Sequence, residues 1–318
     1  MKSFNYKIVG IIIFCFLLIV PYILSIYTQI LFTEIFIMGL FALSFNLLFG
    51  YTGLLSFGQA AFFGLGGYAA AFILRDIYPC IWLALFGGLV LGFISSALIG
   101  YFSVKLDEIY FAMLTLGFGM MFFTLVHQWR SFTGGSDGIS GFPMPVLTLF
   151  IKKFELSNPR IYYYFSLFIT TIASYILYRI IKSPFGLILL SIKENSERVS
   201  FTGINVRFYR WLSFVFAGTF AGLAGSLFSV FDRIASPTML HWTKSAEPVL
   251  MTILGGANIF FGPFLGAAVF FFLEDIITKY TQSWMIFLGF ILLFLVILFP
   301  EGILGSIIKF LKKEDNER

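Results

Sequence analysis

The chain has 318 residues, 59% hydrophobic and 12% charged, with a net charge of +5 and a mean hydropathy of +0.94. A soluble domain carries about twice that charged share, so a soluble enzyme is excluded. The basic excess sits at loop ends, which fits membrane topology and gives no reason to invoke nucleic acid.

The apolar residues gather in blocks of about 20, enough to cross roughly 30 Å of hydrocarbon. In lipid such a block must satisfy its own backbone, so each is read as a helix. The predicted fold is an all-α polytopic bundle, with residues 1–318 forming one transmembrane domain. Ten crossings are placed at 8–27, 32–50, 57–74, 81–101, 109–128, 161–181, 210–231, 240–257, 262–278 and 284–300. The apolar run after Lys7 lacks a cleavage site and is read as the first span rather than a signal peptide. Spans 57–74 and 240–257 begin with polar or Gly-rich stretches, so either could be broken or re-entrant.

An even count puts both termini on one side. With that side cytoplasmic, thirteen of the 21 basic residues face inward. Four of the others lie in the long outer loop 129–160, where charge counts for less. That loop carries Thr133-Gly-Gly-Ser-Asp-Gly-Ile-Ser-Gly141 and then Pro143 and Pro145, which is turn chemistry. On the inner side, Ser183 is placed to cap a helix with Pro184 at its first position. Phe185, Leu189 and Ile192 then share one face. A second short helix runs from about Glu194 to Thr202 and stops at Gly203. Taken alone, this amphipathic element also fits a helix lying on membrane lipid headgroups.

No Gly is followed directly by Lys, so the chain has no phosphate loop and is expected to hydrolyse no ATP. Neither Cys15 nor Cys80 points to a disulfide, and the two histidines, His127 and His241, lack metal-ligand spacing. No catalytic residue, metal or cofactor is expected. Small residues recur every fourth position at Ala60/Gly64, Gly66/Ala70, Gly88/Gly92/Ser96/Gly100, Ala217/Ala221/Gly225/Ser229 and Gly262/Gly266. That spacing brings helix backbones close and marks a dense bundle. Asn46, Ser56, Gln59 and Thr115 are the main polar residues within spans, and Glu247, Glu274 and Asp275 lie nearer helix ends. Intramembrane polar groups face a bundle interior or a wet cavity. The first four are therefore candidate substrate-pathway residues, although each alone would also serve as interhelical glue. The expected pathway is neutral, without a charged relay.

Five stretches carry a resemblance when read in order. They are GLLSFGQAAFFGLGGYAAA at 53–71, TGGSDGISG at 133–141, SPFGLILLSIKENSERVSFTGINV at 183–206, FAGTFAGLAGSL at 216–227 and EPVLMTILGGANIFFGPFLGAAVF at 247–270. From about 35 to 305 the chain resembles LivM-type permease subunits of bacterial ABC importers for branched-chain amino acids. Leu187 stands where the family usually has a basic residue, and Gly255-Gly256-Ala257-Asn258 replaces the usual Gly-Gly-x-Gly.

The resemblance implies a second, LivH-like permease, two cytoplasmic ABC ATPases, an extracytoplasmic amino-acid-binding protein and residence in the bacterial inner membrane. It makes 183–206 the ATPase-coupling segment, with Ser183, Pro184, Phe185, Gly186, Glu194, Asn195 and Gly203 as its candidate residues. A permease for urea or short amides is a same-class alternative. A secondary transporter that needs no ATPase is a different-class one.

Overall fold

The computed structural model describes residues 17–22, 25–106, 108–149, 152–281 and 283–316. Most of the first predicted crossing lies outside these; of its described residues, 17–22 are helical, and 25–27 cap and begin the helix Ile26–Thr52. Among the described residues seven helices are long and apolar enough to cross a membrane, at Ile26–Thr52, Gln59–Ile77, Ile81–Ser103, Ile109–Gln128, Pro159–Ile181, Val206–Asp232 and Met285–Ile307.

The expected ten is therefore too many for full-length helices. Two predicted crossings, 240–257 and 262–278, are helices of 14 and 17 residues, Trp242–Gly255 and Gly262–Thr278. At 1.5 Å per residue the first reaches about 21 Å, short of the hydrocarbon thickness. The shortfall comes from both ends, where His241 caps the helix and Gly256 stops it at φ 107°. Its entry is a non-helical run with a single turn at Pro237–Leu240, where Met239 packs on Gly67 and Leu240 on Gly64.

The elements used below are α1 (Ile26–Thr52), α2 (Gln59–Phe72), α3 (Ile81–Ser103), α4 (Glu108–Gln128), α5 (Pro159–Ile181), α6 (Pro184–Glu194) and α7 (Ser196–Phe201). They continue with α8 (Val206–Asp232), α9 (Trp242–Gly255), α10 (Gly262–Thr278), α11 (Trp284–Leu298) and α12 (Gly302–Asn316). A π turn, Ile73–Ile77, extends α2.

The small-residue stripes explain which helices are central. α8 lies against α2 and α3 with backbone touching backbone. A Cβ built on Gly225 would overlap the Phe63 carbonyl oxygen, and one on Gly66 would overlap that of Gly222. On the α3 side, the Gly218 carbonyl lies 2.6 Å from where a Cβ on Gly92 would stand. Lipid supplies no hydrophobic drive between helices, so this close packing and the hydrogen bonds it permits must hold them. Ser96 Oγ donates to Val215 O at 3.3 Å, Trp211 Nε1 to Ala97 O at 2.9 Å, and Tyr162 Oη to Leu227 O at 2.6 Å. Consequently α1 and α8 are each 78% buried over their apolar windows, against 17% for Met285–Ile307, which lies at the periphery.

The long loop 129–160 holds more than turns. Gly134, Gly135, Gly138 and Gly141 all adopt positive φ, as the turn-rich sequence predicts. β1 (Ile139–Ser140) pairs antiparallel with a second strand, Ile234–Ala235, just after α8. A further hairpin joins Val146–Leu149 to Lys152–Glu155.

Candidate functional site

α1 ends at Gly53, whose φ of 78° reverses the chain. Residues 53–58 then run without helix, with Leu54 and Ser56 buried, before α2 starts at Gln59. The predicted break in the third crossing is thus at its beginning. Ser56 Oγ accepts from Gly58 N at 3.3 Å and so shapes the turn into α2. Thr115 Oγ1 donates to Ala112 O in its own helix at 2.9 Å, and the Thr115 carbonyl lies where a Cβ on Gly58 would stand. Ser56 and Thr115 therefore meet across Gly58, and each hydroxyl is locally satisfied.

The other two pathway candidates differ. Asn46 and Gln59 are fully buried, and neither amide has a hydrogen-bond partner at its nitrogen or its oxygen among the described residues. Both border α9. The Asn46 side chain and the Ala257 carbonyl close in on Gly50, while Ala60, next to Gln59, donates its N–H to Ser245 Oγ at 2.9 Å. Thr252 Oγ1 of the same helix donates to Ala42 O at 3.2 Å.

An unpaired buried amide costs about 1–3 kcal/mol, and native proteins keep few such groups without a use. Replacing either residue by its apolar near-isostere, Asn46→Leu or Gln59→Met, is expected to stabilise the protein by about that amount. The check is the thermal midpoint of detergent-purified protein. A fall in midpoint for both variants would mean that the amides are interhelical glue.

Beside these neutral candidates lies a group of charged side chains, all of them partly or fully exposed. Lys244 Nζ lies 2.8 Å from Glu247 Oε2 and 5.0 Å from the centre of the Phe228 ring. Glu34, Asp232 and Glu274 all fall within its electrostatic reach. Five charged side chains from α1, α8, α9 and α10 thus converge, although among the described residues none of the acids groups as a metal site. Lys244 and Glu247, three residues apart within a predicted crossing, were the available signal, because charges at that depth mark function by default. Glu34, in the predicted crossing 32–50, carries the same signal, whereas Asp232 lies just past a predicted crossing, and only the folded bundle brings either towards Lys244.

On the opposite side, 183–206 forms α6 and α7 as expected, with one correction. Ser183 precedes α6 in an extended conformation but makes no capping bond; its Oγ donates back to Ile180 O at 2.6 Å. Pro184 takes the first helical position, where its missing N–H would have had no intrahelical partner. Asn195 does cap α7, accepting from Arg198 N at 2.9 Å, and Gly203 ends the pair at φ 85°.

The shared apolar face turns inward. Leu189 and Ile192 are buried, Phe185 packs on the rings of Tyr209 and Phe216, and Gly186 fits closely against the Ile181 carbonyl. Outward stand Leu187, 65% exposed, and Phe201, 88% exposed, beside a cleft of about 590 Å³ lined by Glu194, Asn195, Arg198 and Thr202 among others. The face that could have lain on lipid is therefore already occupied by the protein's own core.

These features agree with known sequences. The family described as branched-chain amino acid transport system / permease component matches residues 27–296. The high-affinity branched-chain amino acid transport system permease protein LivM of Escherichia coli (strain K12) is 25% identical over 281 residues, covering 82% of this chain. The match spans 66% of that protein's length, just under two thirds. A probable branched-chain amino acid transport permease protein LivM of Methanocaldococcus jannaschii is 25% identical over 315 residues, covering 83% of this chain and 89% of the relative. Among solved structures, an inward-facing metal-chelate type ABC transporter is similar at 15% identity and a TM-score of 0.47, covering 85% of this chain and 86% of that one. With a match across so much of its length, this multi-pass membrane protein belongs to the branched-chain amino acid transport system permease component family.

Proposed function

We propose that the chain is the transmembrane permease subunit of an ATP-driven ABC importer. With a second, LivH-like permease it forms the translocation pathway for leucine, isoleucine and valine. Two separate cytoplasmic ATPases drive the pair, and an extracytoplasmic binding protein delivers the amino acid. Residues 1–318 act as one permease domain with both termini in the cytoplasm. The substrate class follows the names of the curated relatives.

The observation that carries the ATPase-driven reading is the α6–α7 segment. Its apolar face is fastened to the bundle, while Leu187, Phe201 and the cleft beside Glu194 and Asn195 stay open. That is the form of an element that receives a partner and transmits its motion. Asn46 and Gln59 offer unpaired amides to a polar solute, with Ser56 and Thr115 shaping the wall beside them. The charges around Lys244 favour a second reading, ion-coupled transport without an ATPase.

Two variants test the coupling assignment. Gly203→Pro forbids the positive φ and removes the N–H that donates to Ser200 O at 3.1 Å. Glu194→Lys reverses an exposed charge at the α6–α7 junction. Each is expected to insert at normal levels, yet to copurify with less ATPase or to hydrolyse ATP without moving solute. In either variant a thiol probe at Ser196 should react only once the cytoplasmic side is opened. Normal transport by both variants would show the segment to be a mere surface helix, and labelling of Ser196 from outside intact cells would overturn the orientation and the coupling assignment together.

A further inference from the structure

Lys193 is the last basic residue of α6, and its side chain leaves the docking face to run along the bundle. Its Nζ donates to Gly50 O at 2.7 Å and to Asn258 Oδ1 at 3.2 Å. Its Cγ lies 3.1 Å from where a Cβ on Gly53 would stand, so the side chain lies directly against the chain reversal. Three elements meet at one ammonium group: α6, the cytoplasmic end of α1 and the α9–α10 turn.

Each bond has a local cause. The last carbonyls of a helix have no partner within it and carry partial negative charge. At the end of α1, Leu54 N and Thr52 Oγ1 take the carbonyls of Leu48 and Leu47, and the Gly50 carbonyl goes to Lys193. Asn258 stands in a turn that is also held from other sides. Phe260 meets the Tyr178 ring at 5.3 Å, and the Glu301 carbonyl lies 2.8 Å from where a Cβ on Gly256 would stand. A pull on the Lys193 side chain therefore acts on elements that are otherwise tied to α5 and α12. Asn46 sits one turn above Gly50 on α1, and Ala257 precedes Asn258. The same two elements thus frame an unpaired pathway amide.

We propose that Lys193 is the positioning residue through which movement of α6 reaches the inner end of the pathway. It pins the coupling helix at once to the end of α1 and to the α9–α10 turn, beside Asn46. This rests on the reading of 183–206 as the coupling segment and adds the residue that carries the motion inward. Lys193 is itself exposed, but two of its three N–H donors are directed to the bundle rather than outward.

The test compares variants in the transporter assembled with its partner ATPases in vesicles. Lys193→Met keeps the stem and removes the donor and the charge, and Lys193→Arg keeps both. The expected result for Lys193→Met is a fall of about tenfold in solute moved per ATP hydrolysed, at a wild-type thermal midpoint. Lys193→Arg should retain coupling. Asn258→Ala should produce a smaller fall, and the double variant Lys193→Met/Asn258→Ala should be no worse than Lys193→Met alone, because both act through one contact. A wild-type ratio for Lys193→Met, a lowered midpoint, or additive losses in the double variant would each overturn the pin. Gly203→Pro separates this from the parent reading. If it uncouples while Lys193→Met does not, the pin alone is wrong, and if neither uncouples, the coupling segment is wrong.

Discussion

Gly225→Leu is expected to abolish the folded bundle. The site has no room to relax, because the group in the way of a new Cβ is the Phe63 carbonyl, part of the α2 backbone, rather than a side chain that can turn aside. Overpacking of a core by flexible side chains costs about 1–3 kcal/mol, and an obstacle of backbone puts this case above that range. Total stability is only about 5–15 kcal/mol, so little folded protein should survive extraction. The same contact recurs at Gly66 and Gly222, so α2 cannot simply slide along α8 to a better register.

A control has the opposite sign. Nothing lies within 4 Å of a Cβ built on Gly117 in α4. Gly117→Ala should therefore be neutral or stabilising by up to about 1 kcal/mol through helix propensity. Size-exclusion profiles and thermal midpoints of the two variants decide the matter. A monodisperse Gly225→Leu protein with a wild-type midpoint would mean that α2 and α8 are not in backbone contact.

What the sequence made legible is what repeats locally. The every-fourth-residue spacing of Gly88, Gly92 and Ser96 announced a helix face with little bulk, and that face meets Gly218 and Gly222 of α8. Phe185, Leu189 and Ile192 announced an apolar face on α6, and Gly203 announced a helix end with positive φ. Spacing could not say what each face would meet. The i, i+4 and i+7 pattern of α6 is the same whether the face lies on lipid or on Tyr209 and Phe216. Hydropathy counted 240–257 as a full crossing, but the helix runs only over Trp242–Gly255, between a turn at Pro237–Leu240 and Gly256 at positive φ. For Lys193 and Lys244 the decisive partners are remote in sequence: Gly50 and Asn258 for the first, Glu34 and Glu274 for the second. Of the pathway candidates, Asn46 and Gln59 were legible as polar residues in apolar spans, but their lack of partners appears only in the packed bundle.

The central claim is that the energy for transport comes from outside this chain. Moving a two-state pathway from about 1:99 to 99:1 takes roughly 5.5 kcal/mol of differential binding. The chain has no phosphate loop with which to draw that from ATP. In the function proposed above, the supply is ATP bound to partner subunits and a loaded binding protein outside, each favouring a different state of the permease. The most direct measurement is uptake of labelled leucine into proteoliposomes holding either the chain alone or the chain with its second permease and ATPases, with ATP inside and binding protein outside. The account predicts accumulation only in the complete assembly, abolished when either ATP or the binding protein is left out, and neither uptake nor ATP hydrolysis by the chain alone. Leucine accumulation by the chain alone under a proton gradient would contradict it and would assign the charges around Lys244 to ion coupling.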